Sequence, residues 1–274
     1  MPTLSSPACG NIDRMTAQLG EPERAPLRYP PLGLVAFQIN FPEAERKLSS
    51  KEIFAFRDAL HRGPERYGEL TQIRRNQVTI QIGSLGPTTT EPSGALGWRL
   101  AVRDQSWSLS LFPDSVVLEC RVYRGWTEDF RPRLLDAITS TAEALKPEVE
   151  TRLGLRYVNA FSSEDATSPM FWRNKVQPAF LGPIGDERLS GAFSTSGGRI
   201  AFAFDDVEAI VATAFQPDAV LSGRTAAVFD IDVFRQGARE FSIQSALDGA
   251  DLLNTRALQI FQSIVTPSYL QELN

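Results

Sequence analysis

Twice along this chain a run of two-residue alternation gives way to three- or four-residue spacing, and each time a proline closes the new pattern. In GWRLAVRD, SWSLSLF and SVVLECRVY the apolar residues alternate, with Val116, Leu118, Cys120 and Val122 on one side of the last run. From Trp126 to Leu145 the apolar positions Trp126, Phe130, Leu134, Ile138, Ala142 and Leu145 then trace one helical stripe, ended by Pro147. Thr127, Glu128 and Asp129 suit its N-terminus. The second change follows GRIAFAFD, EAIVATAF and AAVFDIDVF, where Leu247, Ala250, Leu253, Ala257, Phe261 and Ile264 form a stripe between Ser242 as cap and Pro267 as stop. A helix with one apolar stripe must bury it, and an antiparallel sheet with one apolar face is the natural place. The pattern predicts an α+β fold in which antiparallel sheets are each covered by a long helix.

The elements before each change recur in the same order. After Pro30 and Pro31, LGLVAFQINF puts Val35, Phe37, Ile39 and Phe41 on one face of a strand. Ser50 then opens a short helix carrying Ile53, Phe54, Phe56 and Leu60, stopped by Gly63-Pro64. A strand around Gln77 to Ile82, a loop GSLGPTTTEPSG and the three-stranded meander complete the first pass. Leu153 to Phe161, LGLRYVNAF, begins the second. Pro169 to Leu181 reads as a short helical insert, and four strand candidates, ERLSGAFST first, precede the last helix. The expected organisation is a flexible leader over residues 1–28 and two pseudo-repeated strand-helix-four-strand-helix halves, 29–149 and 150–274, offset by roughly 120 residues. That order resembles the helix-grip arrangement of the TATA-binding-protein-like folds, which by itself implies no activity.

The blocks PLRYPPLGLVAFQINF, GWRLAVRDQSWSLSLFPDSVVLECRVYRGWTEDF, LGLRYVNAF, and FDIDVF followed by a helix ending FQSIVTP resemble a sporadically distributed family of uncharacterised bacterial proteins. The resemblance covers most of the chain after Arg24. It implies a bacterial cytoplasmic accessory protein and supplies no catalytic residue or cofactor.

Charge and cysteine content narrow the function classes. A net charge of -5, from 33 acidic and 28 basic residues, repels phosphate backbones and anionic lipid, so nucleic acid is disfavoured as a partner. The basic residues are 24 Arg and 4 Lys, scattered along the chain as codon bias would leave them rather than gathered as an anion site. Cys9 and Cys120 make neither a disulfide framework nor a zinc site, which fits a reducing cytoplasm. No apolar run approaches the ~18 residues of a membrane span, and MPTLSSPACGNIDRM lacks the basic and apolar regions of a signal peptide.

Few residues invite chemistry, and each has a plainer reading. His61, the single histidine, sits at a helix end without a nucleophile to activate. Asp230 and Asp232 in FDIDVF project from one side of a strand, where paired carboxylates could hold a cation, while Asp205-Asp206 lie on a turn; the plainer reading has the strand aspartates in water and Phe229, Ile231 and Val233 in the core. In LGLRYVNAF, Arg156 lies on one face, and Tyr157 and Asn159 on the other. If this strand lies at the junction of the two halves, Arg156 could clamp an anionic ligand or pair across the sheets with an acid such as Asp230, as an inter-half ion pair. Trp98, Trp107 and Trp126 invite a stacking platform, but Trp107 shares its alternation with Leu109 and Leu111 and Trp126 begins the helix stripe, so core packing is the plainer reading. STSGGRI lacks the lysine and following helix of a phosphate loop and reads as a hairpin.

No catalytic residue, metal site or cofactor is expected. The reading is a non-enzymatic interaction or regulatory protein with a protein partner, of which a neighbouring gene's product is the first candidate; a homo-oligomer stays open. The alternative is a small-ligand or nucleotide-binding protein, even an enzyme, with a pocket between helix and curved sheet lined by Arg156, Tyr157, Asn159, Asp230 and Asp232.

Overall fold

The computed structural model describes residues 19–25, 27–42, 47–61, 67–74, 81–83, 86–88, 95–190, 192 and 194–274. Strand β1 (Leu32–Asn40) buries Val35, Phe37 and Ile39 on the face its alternation predicts. Helix α1 (Ser50–Leu60) is capped one residue earlier than expected. Ser49 accepts from the Glu52 N–H while Glu52 reaches back to the Ser49 N–H, and Ile53, Phe56 and Leu60 are buried. Then come β2 (Thr71–Arg74), a separate hairpin of β3 (Gln81–Gly83) and β4 (Gly86–Thr88), and the meander β5 (Leu96–Ala101), β6 (Trp107–Phe112) and β7 (Ser115–Cys120). A five-residue π-helical turn at Trp126–Phe130 leads into α2 (Arg131–Leu145): the Phe130 and Arg131 N–H groups reach back five residues to the Gly125 and Trp126 carbonyls, and Pro132, with no N–H to give, follows in the first turn of α2.

Strand β8 (Val149–Phe161) opens the second half. A helical insert follows, made of 3₁₀ turns at Pro169–Asn174 and Gly182–Gly185 and the short α3 (Pro178–Leu181) and α4 (Glu187–Ser190). Strands β9 (Ser196–Ala203), β10 (Glu208–Pro217) and β11 (Thr225–Glu240) come next, then α5 (Ile243–Ile264), capped by Ser242, and α6 (Pro267–Leu273).

Two strand expectations change. ERLS is helical, because its one apolar residue, Leu189, has no alternating partner and the Asp186 carboxylate accepts from the Arg188 N–H at the helix start. The second half therefore has three sheet strands after its insert instead of four. In the first half, the strand expected over Gln77 to Ile82 falls largely outside the described residues; the pairing strand found is the polar TQIR of β2.

Nine strands form one antiparallel sheet in the order β2-β5-β6-β7-β1-β8-β11-β10-β9. At its centre β1 pairs with β8, Phe37 opposite Leu155 and Ala36 opposite Arg156. The chain is thus α+β, with a large antiparallel sheet and several helices. Helix α5 packs on β8 and β11, α2 packs on β7 and α5, and α1 packs on α2. The core lies between these helices and one face of the sheet, where Leu109, Leu118, Phe37, Leu155, Ile231 and Val211 occupy adjacent strands, each essentially inaccessible to solvent.

Close packing demands a small residue at one point in α5. A Cβ on Gly249 would lie 2.6 Å from the Arg235 guanidinium and 2.7 Å from Leu153 Cδ2. Arg235 is held there by Glu150, which is only 2% exposed, at 2.5 Å, and it also donates to the Ser245 carbonyl at 3.2 Å. This buried pair joins β8, β11 and the first turns of α5.

Candidate functional site

The pleat divides the five candidate residues between the two sides of the sheet. Tyr157 and Asn159 face the helices. The Tyr157 hydroxyl donates to Asn254 Oδ1 of α5 at 2.7 Å, its ring meets Tyr123 edge-on at 6.1 Å, and burial pushes its pKa well above the usual tyrosine range. Asn159 is buried and donates to the Phe229 carbonyl at 3.3 Å. Both act as polar spacers within the core.

Arg156, Asp230 and Asp232 stand together on the other side. Arg156 grips Asp230 with two bonds, Nε to Oδ1 at 2.7 Å and Nη2 to Oδ2 at 2.5 Å. That hydrogen bonding raises the arginine's pKa further. The partner is the acid named from sequence, but the pair joins the neighbouring strands β8 and β11 within the second half instead of bridging the two halves. Asp232 is directly opposite Arg156 in register but is bonded by Arg152 instead, at 3.0 and 3.3 Å, and the Arg152 guanidinium also sits 4.7 Å from the Phe234 ring centre. Arg152 reaches it by lying across Gly154, whose missing Cβ would be 2.4 Å from Nη1. Burial raises the pKa of Asp232 against the opposing pull of Arg152 and Arg156.

The row continues into the first half. Across Ala36 from Arg156 lies Glu119, which accepts from the Ser108 hydroxyl at 3.0 Å, and Ser108 accepts from Arg99 at 3.0 Å. Three arginines thus meet three carboxylates in one band over six strands, from β5 to β11. Toward β8 and β11 the band is open to solvent: Arg156 is 51% exposed and Ala160 is exposed. Toward β6 it is closed, with Ser108, Ser110 and Phe112 buried.

The other expectations resolve simply. His61 is the exposed C-cap of α1. Trp107 is buried beneath the Arg133 guanidinium, 4.4 Å from its ring centre, and Trp126 stacks on Phe130 at 5.3 Å while donating to Asp251 at 2.7 Å. Cys120 is buried and free, its thiol pushed up to about 12 by burial. Among the described residues no group of three His, Cys, Asp or Glu could hold a metal ion, and no helix is long and apolar enough to cross a membrane. A cavity of about 230 Å³ opens between the π-helical turn and the ends of β5 to β7, lined by Trp107, Arg124, Asp129 and Arg133 among others. Sequence reasoning missed it, since its lining comes from three separated turns.

No family model matches the chain, and no curated protein matches it. Among solved structures, the Pct1 RNA triphosphatase of S. pombe aligns at 11% identity over 89% of this chain and 87% of its own, with a TM-score of 0.14. The same enzyme in complex with the Spt5 CTD aligns at 11% identity over 91% and 88%, with a TM-score of 0.13. Superpositions that poor carry no argument about fold or role.

Proposed function

We propose that the chain is a non-enzymatic interaction or regulatory protein of a bacterial accessory system, acting in the cytoplasm, and that a protein partner docks on the face of β8, β11 and β10 that no helix among the described residues covers. The observation that carries this reading is the solvent-open part of the ion-pair band, flanked by Val158, Ala160, Ile210 and Ala212. Charges already neutralised by neighbours lose less on dehydration than isolated ones, and small apolar side chains between them permit close approach. A polyanion gains little from arginines whose guanidinium groups are spent on carboxylates, so the band favours protein over nucleic acid.

The reading includes an internal duplication. Its support is the strand order outward from the central β1–β8 pair: first strand, last strand, then the two preceding ones, as β1-β7-β6-β5 on one side and β8-β11-β10-β9 on the other. Each half also ends in a long helix, and those two helices touch.

Coexpression of the tagged chain with the products of its neighbouring genes tests the role. One of them should co-purify, and Ala160→Glu, at an exposed site opposite the uncharged Val228, should abolish capture with little shift in the thermal midpoint. Absence of any co-purifying product, together with turnover of a small molecule, contradicts the proposal.

A second reading, small-ligand binding, draws on the cavity beside the π-helical turn, a backbone feature that recurs at functional sites. It does not use Arg156, Tyr157, Asn159, Asp230 or Asp232. A thermal-shift screen of nucleotides and divalent metals separates the two, since only ligand binding predicts a shift that Arg124→Ala removes.

A further inference from the structure

Among the described residues, β2 and β9 lie at the two ends of the nine-stranded order. Sheet edges are aggregation hazards, and proteins blunt them with short strands, prolines, lysines or bulges. Strand β2 is four residues long. Strand β9, SGGRIAFA, is eight residues long, contains no proline or lysine, and pairs with β10 in unbroken register from Ser196 to Ala203. Gly197 through Ala201 and Ala203 are exposed, and Ile200 is an exposed large apolar residue at 37%.

The sequence of β9 complements itself. An antiparallel copy placed about a twofold axis at Ile200 sets Ile200 against Ile200, Phe202 against Gly198, Arg199 against Ala201 and Gly197 against Ala203. Ile200, Phe202 and Gly198 point to the helix-covered side, because their partners in β10, Val211, Ala209 and Thr213, do. No like charges face each other in this register, whereas centring the pair on Arg199 would oppose two guanidinium groups. An aromatic ring over a cross-strand glycine is also a pairing the molecule already uses: Phe112 lies so close over Gly97 that a Cβ there would meet its ring at 2.4 Å.

We propose that β9 is a homodimer seam, along which two copies pair antiparallel about Ile200 and join their sheets edge to edge. This seam is independent of the partner face, since it uses the edge of the sheet and leaves the Arg156–Asp230 band open.

Three chains test it, all carrying Cys9→Ser. The parent chain, examined by size exclusion with light scattering over roughly 1–100 µM, should shift from monomer to dimer. Added Ile200→Cys should give a disulfide-linked dimer on mild oxidation, because directly opposed residues bring their Cβ atoms to about 5 Å, near disulfide reach. Added Ile200→Lys should stay monomeric throughout that range with an unchanged circular dichroism spectrum. A parent chain that is monomeric at every concentration, an Ile200→Lys chain that still dimerises, or an Ile200→Cys chain that forms no covalent dimer would each overturn the seam.

Discussion

Asp232 shows how a single residue is governed by competing terms. Its carboxylate has Arg152 at 3.0 Å, yet burial outweighs the two arginines and raises its pKa above the ordinary 3.8. The folded chain therefore holds this proton more tightly than the unfolded chain does. The associated stability is present below pH 3.8 and is lost as the pH rises through the higher folded value. Asp232→Asn should flatten the stability curve across that window, and a carboxyl NMR titration of the native chain with an Asp232 midpoint below 3.8 would contradict the sign. Cys120 gives a second residue-level test. With its thiol buried and pushed up to about 12, alkylation at pH 8 should leave it unmodified in the folded protein and label it rapidly in denaturant, as intact-mass spectrometry would show. The Arg156–Asp230 pair was legible in the sequence, because both residues fall on the polar side of alternating strands. The Arg152–Asp232 pair was not, since it runs diagonally and depends on the space above Gly154, which no one-dimensional pattern records.

Among the elements, α5 carries a close-packed glycine and α1 a complete capping box. Gly249→Ala would drive a methyl into the Arg235 guanidinium and Leu153, and should cost about 2 kcal/mol, read from a denaturant midpoint. Ser49→Ala removes the hydroxyl that accepts from the Glu52 N–H and should cost about 1 kcal/mol. Both long helices were visible beforehand because their stripes persist for four turns or more. Strand β2 was invisible, since TQIR has one apolar residue and gains its identity from pairing with β5. The ERLS segment failed in the opposite direction: strand order was carried over from the first half, while the local Asp186 cap favoured a helical turn. The buried Glu150–Arg235 pair was also unreadable, because its members are 85 residues apart and meet only once the β8–β11 register is set.

For the whole molecule, the consequential contact is the antiparallel seam of β1 with β8, which makes nine strands continuous. The π-helical turn and α2 bridge it further to α5, through the bonds of Trp126 and Arg131 to Asp251 at 2.7 and 3.0 Å. Calorimetry should accordingly show one cooperative transition for both halves, with equal calorimetric and van't Hoff enthalpies, and two resolved transitions would contradict that coupling. The seam was only partly foreseeable: LGLRYVNAF was identified as an opening strand, but alternation does not say which strand it will pair with. The central claim concerns the open face beside that seam. A photo-crosslinking amino acid placed at Ala160, exposed on that open face, and in a separate chain at Leu135, exposed on α2, tests it inside cells. Adducts to one defined protein from position 160 and none from position 135 are the predicted result; no adduct from position 160, or the same adduct from both, would contradict the account.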